Sequence, residues 1–190
     1  MLENMIKDIL SHKTEIDEKK IALAKHGLDI LISDGRNLLS VFLLSLALKN
    51  TTQALLYLFV LSTLRVHTGG WHASSEVKCF LTYQGMFILF SFLNSFMMPD
   101  FINTVLMIAS ILYIVCCAPI EHKYNPLSHD EIIKNRYCCF VYCFLYLVAF
   151  ILMRSFLSFQ YSQAISIAFV YNVILMELLK RSKNYRYYDN

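Results

Sequence analysis

Long apolar runs with few breaks constrain the fold of this chain more than any other feature. Only five glycines and three prolines occur in 190 residues, and 57% of the residues are hydrophobic. A β-barrel would need frequent turns and strict alternation of polarity, whereas a helix crosses a bilayer with roughly 20 apolar residues. The sequence therefore predicts an all-α polytopic integral membrane protein, with clear spans at 80–98, 101–120, 137–153 and 155–179.

Two shorter apolar runs leave the number of spans open. Residues 38–48 and 54–64 either borrow flanking polar residues and cross as a thin pair or form a re-entrant hairpin. We therefore expect four to six transmembrane helices. Residues 1–36 alternate apolar and charged positions in a way typical of amphipathic helices at a membrane surface. We predict a single membrane-embedded domain over 1–190, composed of 1–36 (amphipathic), 37–64 (hairpin), 65–79 (polar segment), and the helix pairs 80–120 and 137–179.

The charges predict how this arrangement is oriented. If residues 1–36, 65–79, 121–136 and 180–190 share one side, that side holds 15 of the 17 Lys and Arg residues. The other two, Lys49 and Arg154, lie in predicted turns on the far side. The positive-inside rule places the crowded side in the cytoplasm of a multi-pass cell-membrane protein. The net charge of +3, without a basic stripe interleaved with aromatics, argues against nucleic-acid binding.

The polar segment 65–79 contains the most reactive side chains. Cys79 is the one cysteine of six with polar neighbours, whereas the others lie in or beside predicted spans, where cysteine behaves as a small hydrophobe. A thiol attacks as the thiolate, and a histidine can take its proton and later donate it to a leaving amine. His72 is the predicted base and His67 is its competitor. The segment therefore predicts a membrane-embedded cysteine enzyme, with a free thiol in a reducing compartment.

The spacing between these two residues predicts a bend. In one straight helix, seven residues would separate the histidine from the cysteine by roughly 10 Å along the axis. We therefore place the histidine on a loop that closes Gly69 and Gly70, and the cysteine on a helix that begins near Ser74, with Ser74 or Ser75 as its N-cap. The glycines favour a plain turn with positive φ or close backbone approach, and a second interpretation aims their amides at an oxyanion.

Arg65 has two equally supported interpretations. It can anchor the end of an apolar run by snorkelling to the interface. It can also pair with a substrate carboxylate or bridge to the C-terminal loop. Glu76 likewise either orients His72 or is a first-turn acid favoured by the helix dipole.

Zinc is the main chemical alternative to the thiol mechanism. A site built from His67, His72 and Cys79 would need a fourth ligand such as His122 or His129, and the spacing matches no compact ligand pattern. Ser74 or Ser75 as the nucleophile is weaker still, because no glycine-flanked elbow surrounds either serine. We therefore predict no metal and no cofactor.

Two motifs resemble a known family. Arg65-x3-Gly69-Gly70-x-His72-Ala73-x5-Cys79, with spans on both sides, is similar to the pattern of the accessory gene regulator B (AgrB) family of membrane peptidases in Gram-positive bacteria. The stretch Ala118-Pro119-Ile120-Glu121-His122-Lys123-Tyr124-Asn125-Pro126-Leu127, followed by Arg136, is similar to the mid-chain loop of that family. Length, amphipathic N-terminus and order of spans also agree, so the resemblance covers nearly the whole chain.

The resemblance implies a substrate and a reaction. The substrate would be a small AgrD-like quorum-sensing propeptide whose C-terminal tail is removed and whose signal segment is closed into a thiolactone or lactone through a thioester on Cys79. His72 and Cys79 would be the catalytic pair, with Arg65, Gly69, Gly70 and Ser75 binding substrate or supporting the site. We expect a homodimer, because small multi-span proteins often pair. Two alternatives remain: a peptide exporter or scaffold without catalysis, and a protease that releases a linear peptide.

Overall fold

The computed structural model describes residue 32 and residues 35–69, 76–121 and 127–182. Within these ranges the chain forms six α-helices and no strand, which confirms the all-α prediction. The N-terminal amphipathic helices predicted for 1–36 fall mostly outside the described residues. The helices are α1 (Gly35–Ala47), α2 (Thr51–Thr68), α3 (Glu76–Ser95), α4 (Asp100–Cys117), α5 (His129–Phe156) and α6 (Phe159–Lys180).

Four of these helices, α3 to α6, are long and apolar enough to cross a membrane. The shorter α1 is apolar, and α2 has 18 residues. Because a spanning helix satisfies its backbone polar groups internally, such helices are a stable form for apolar sequence in lipid. The chain is a polytopic membrane protein of the predicted kind.

The chain divides into two compact units, residues 1–40 and residues 41–190. In the smaller unit the described residues include the start of α1, where the Ser40 hydroxyl donates to the Asn37 carbonyl (2.9 Å). The larger unit contains the rest of α1 and the five helices that follow. All residues discussed below belong to this larger unit.

Helix α6 is the centre of the larger unit. Of its most apolar stretch, 72% is buried, against 17–22% for the corresponding stretches of α3, α4 and α5. The other helices, α2 to α5, pack around it. Small side chains such as Ala164, Ser166 and Ala168 are fully or almost fully buried along α6 and allow neighbouring backbones to approach closely. The outer faces of α3 to α5 are exposed and apolar, as lipid-facing surfaces are.

An aromatic cluster joins α2, α3 and α6. Tyr57 stacks on Phe90, with ring centroids 4.2 Å apart, and meets Tyr171 edge to face at 5.9 Å. Phe87 packs beside the first two rings. Aromatic pairs of this kind contribute about 0.5–1.5 kcal/mol beyond their buried area. The cluster therefore holds the two helices that flank the 69–75 connection against the central helix.

Helix α5 starts earlier and ends later than its apolar run. Residues 121–136 lie between two predicted spans, but the chain becomes helical at His129, because Ser128 and Glu131 form a capping box. The Glu131 N–H donates to Ser128 Oγ (3.3 Å) and the Ser128 N–H donates to Glu131 Oε2 (2.8 Å). At the other end α5 continues past Arg154, which forms an ion pair with Asp100. The break between α5 and α6 therefore lies at residues 157–158.

The helices alternate in direction, so their ends gather at two sides. At one end, Gln163 near the start of α6 donates to the carbonyls of Leu93 (2.7 Å) and Phe96 (2.8 Å), where α3 finishes. At the other end, the Ile120 N–H donates to the Thr68 carbonyl (2.8 Å). We call this second side the motif end. It carries the end of α2, the first turn of α3, residues 118–121 and the end of α6.

Candidate active site

Cys79 lies in the first turn of α3, at the motif end. Its side chain is half-buried and its thiol is free. The helix begins at Glu76, close to the predicted start near Ser74, and it carries the cysteine as predicted.

The predicted partner of this cysteine lies outside the described residues. His72 belongs to 70–75, together with Gly70, Ser74 and Ser75. The pairing of His72 with Cys79, the proposed N-cap and the predicted bend therefore stay predictions. The connection from α2 to α3 runs from Gly69 to residue 75, and His72 is at its middle.

Gly69 has both properties that the sequence predicted for the glycine pair. Its φ of 71° and ψ of −171° lie in a backbone region that is essentially restricted to glycine. A Cβ at this position would lie 2.3 Å from the carbonyl oxygen of Ile120. The Gly69 N–H donates to the Arg65 carbonyl (3.1 Å) and so ends α2. A side chain is excluded here by conformation and by space.

The two sequence motifs meet at this glycine. Residues 65–69 belong to the first and residues 118–121 to the second, and the bond from the Ile120 N–H to the Thr68 carbonyl joins them. Glu121, only 3% exposed, accepts a hydrogen bond from the Leu127 N–H (3.4 Å), while Arg65 is half-buried one turn before Gly69. Charged side chains at such depth are costly unless they are paired or functional.

Thr68 and Asn172 extend this contact into the core of the bundle. Both are fully buried, and the Thr68 hydroxyl lies 3.1 Å from Asn172 Oδ1 and 3.1 Å from the Gly69 carbonyl. The central helix thus supports the chain just before the 70–75 segment. This pair was not predicted from the sequence. A polar residue inside the last apolar run was the available signal, but nothing in the sequence indicated its partner 104 positions away.

His67, the competing base, lies against α5. Its Nδ1 is 3.1 Å from Asn135 Oδ1, and its ring stacks on Tyr142 with centroids 5.3 Å apart. Within the described ranges, no group of three His, Cys, Asp or Glu side chains could hold a metal. Two residues that the zinc alternative invokes, His72 and His122, lie outside those ranges.

The remaining cysteines belong to helices. Cys139 and Cys143 are buried in the core, in agreement with their interpretation as small hydrophobes. Cys138 and Cys117 are half-buried, and Cys116 is exposed at the end of α4. Among the six cysteines, Cys79 is therefore the one that stands in the first turn of a helix at the motif end.

A polar cluster lies at the end of α6 on the same side. The Tyr113 hydroxyl donates to Glu177, and Lys180 Nζ donates to the Tyr113 hydroxyl (2.8 Å) while lying 4.8 Å from the ring centroid. Lys180 and Arg181 also pair with Glu177, at 3.4 Å and 3.8 Å. These contacts tie α4 to α6 and satisfy the carboxylate at the motif end.

The fold and the site define a class: a multi-pass membrane protein, helical throughout its described ranges, with a free cysteine and a glycine turn at the same end of its bundle. Residues 2–176 match the family Accessory gene regulator B (AgrB), and the chain belongs to that family.

Two curated relatives agree with this assignment. The chain is 27% identical over 142 residues to the "Putative AgrB-like protein" of Clostridium perfringens strain SM101 / Type A and to the "Putative AgrB-like protein 2" of Clostridium perfringens strain 13 / Type A. Each match covers 69% of this chain and 66% of the relative, so the chain spans about two thirds of the length of those relatives. No solved structure matches the chain.

Proposed function

We propose that this chain is a membrane cysteine endopeptidase that removes the C-terminal tail of an AgrD-like propeptide and cyclises the signal segment. Cys79 is the nucleophile, and His72 is its base and the acid for the leaving amine. The observation that carries the proposal is a free, half-buried cysteine in the first turn of α3, at the same end of the bundle as the Gly69 turn, in a member of the AgrB family.

The surroundings of the thiol support its role. Cys79 is only half-buried and stands at the start of α3, and the thiolate is the reactive form of a cysteine. Cys139 and Cys143, by contrast, are enclosed in the core, where a peptide has no access. His72 is the preferred base because the competing His67 is held against Asn135 and Tyr142 on α5.

The reaction proceeds through two acyl transfers. The Cys79 sulfur attacks the scissile carbonyl, the carbon–nitrogen bond breaks, and His72 donates its proton to the departing amine of the tail. The signal segment is then a thioester on Cys79. An internal thiol or hydroxyl of that segment attacks the same carbonyl and releases the Cys79 thiol. Exclusion of water protects the thioester from hydrolysis, and holding both ends of the segment raises the effective concentration of the attacking group.

The orientation of the site follows from charge. The sequence predicts that residues 1–36, 65–79, 121–136 and 180–190 share one side, with 15 of the 17 Lys and Arg residues, and Lys49 and Arg154 lie at the end of the bundle opposite the motif end. We infer that the motif end faces the cytoplasm, where a free thiol is stable and a basic surface attracts an acidic tail. A homodimer in the bilayer is part of this proposal, and cross-linking in membranes tests it.

Co-expression with the propeptide tests the chemistry. The peptide mass is followed for the wild type, Cys79→Ala, Cys79→Ser and His72→Ala, with Cys138→Ala as the matched control because its thiol is also half-buried but lies within α5. We expect loss of the tail and a product lighter than the linear segment by one water in the wild type and the control, and unprocessed peptide in Cys79→Ala and His72→Ala. A linear product from the wild type would instead indicate hydrolysis without cyclisation.

The exporter alternative makes the opposite prediction, because Cys79→Ala and His72→Ala would remain active. Polar residues within the apolar runs, such as Gln163 and Asn172, would support this alternative if they lined a path through the bundle. In the structure these two side chains bond to α3 and to Thr68, respectively, and so have structural roles. Processing that survives both alanine substitutions would nevertheless favour that alternative.

A further inference from the structure

An apolar groove lies between the end of α4 and the first turns of α5, on the outer surface at the motif end. Its volume is about 400 Å³. The α4 wall includes Ile114 and Val115, and the α5 wall includes Ile133, Tyr137 and Phe140. The three α5 side chains are large and 56–69% exposed, so the groove is open to the surroundings of the bundle and not to its core. The proposed chemistry at Cys79 makes no use of it.

The position of Arg136 along α5 gives the depth of this groove in the bilayer. Arg136 also lines the groove, and it precedes Arg154 by 18 positions. At 1.5 Å per residue the two arginines are separated by about 27 Å, close to the roughly 30 Å thickness of a hydrocarbon core. Because Arg154 pairs with Asp100 at the opposite end, Arg136 lies at the level of the headgroups on the motif side. The apolar walls therefore extend from Arg136 into the hydrocarbon region.

Two arginines at the ends of the bundle are paired with carboxylates. Arg154 pairs with Asp100, and Arg181 pairs with Glu177. The exposed guanidinium of Arg136 makes no hydrogen bond or ion pair within the described part of the chain. A cation at headgroup level above an open apolar groove is complementary to a molecule with one anionic head and an apolar tail.

We propose that this groove binds an anionic phospholipid, with its phosphate on Arg136 and an acyl chain between α4 and α5. A lipid fits better than an acidic peptide, because the walls below Arg136 offer exposed aliphatic and aromatic carbon and no second cation. A charged peptide tail could neutralise the guanidinium but would leave this apolar surface uncovered. The site is independent of the thiol chemistry, so its test does not depend on peptide processing.

Native mass spectrometry of the purified full chain tests the proposal. The protein is equilibrated with mixed vesicles of phosphatidylglycerol and phosphatidylcholine, and the lipid retained is identified. We expect the wild type to prefer phosphatidylglycerol, Arg136→Gln to lose roughly fivefold of that preference, the factor expected for one cation at the membrane surface, and Arg136→Lys to keep most of it. Arg181→Gln is the matched control, because it removes the same charge at the same end from a residue that is 82% exposed.

A second variant tests the acyl-chain part. Val115→Phe fills the groove from α4 at a position that is 37% exposed, and it should reduce the retention of both lipids. Equal losses in Arg136→Gln and Arg181→Gln would indicate a general charge effect and overturn the proposal. It would also be overturned if Arg136→Gln kept the lipid preference, or if a soluble acidic peptide bound the wild type through Arg136 while the lipid ratio stayed the same.

Discussion

Gly69→Ala is the substitution whose effect follows most directly from the structure. Alanine would have to adopt φ 71° and ψ −171°, which costs a residue with a side chain about 1–3 kcal/mol. Its Cβ would also lie 2.3 Å from the Ile120 carbonyl oxygen, a backbone atom that cannot rotate away. Moving residue 120 would break its bond to Thr68, worth about 0.5–1.5 kcal/mol. We expect a loss of about 2–4 kcal/mol in the free energy of unfolding.

Gly85→Ala is a close control for this experiment. Gly85 lies inside α3, and a Cβ there meets nothing within 4 Å. Alanine in a helix interior is favoured over glycine, so this variant should gain about 0.5–1 kcal/mol.

Thermal unfolding in detergent, followed by circular dichroism, measures both variants. For a chain of this size the expected loss corresponds to a midpoint roughly 5–15 °C lower for Gly69→Ala, with no fall for Gly85→Ala. Peptide processing should fall with Gly69→Ala as well, because this residue leads directly to the segment that contains His72. Equal midpoints for the two variants would refute the argument that the close approach to Ile120 excludes a side chain.

Three further predictions concern the core and the orientation. Gln163→Leu removes two bonds to carbonyls at the end of α3 and should cost about 1–3 kcal/mol in chemical unfolding, whereas Gln160→Leu, with one long contact, should change little. Thr68→Val leaves the buried Asn172 oxygen without its donor and should cost about 1–3 kcal/mol; adding Asn172→Leu should recover part of the loss, and an additive double variant would argue against the contact. A membrane-impermeant maleimide added to intact cells should label Ser158→Cys at the end opposite the motif end and leave the Cys79 thiol unlabelled. The reverse labelling pattern would mean that the proposed orientation is inverted.

The local sequence pattern predicted most of the helices, and the errors in the predicted helix bounds also have local causes. The four long apolar runs correspond to helices α3 to α6, because the length of an apolar run decides whether a helix can cross a bilayer. The span predicted from residue 137 begins earlier, at His129, because the Ser-x-x-Glu capping signal at Ser128 starts the helix within a polar stretch. The candidate nucleophile stood out because Cys79 alone among six cysteines has polar neighbours.

The sequence by itself determined the class of the protein and its family, and it predicts the uneven distribution of charge between the two sides and the cysteine that we propose for the chemistry. These properties depend on composition and spacing along the chain. The tertiary structure alone decided that α6 is the central helix, that Gly69 lies against Ile120 and that Asn172 supports Thr68. The physical reason is that each depends on which helix faces meet. Lipid-facing and buried surfaces here are equally apolar, so periodicity does not distinguish them before the helices pack.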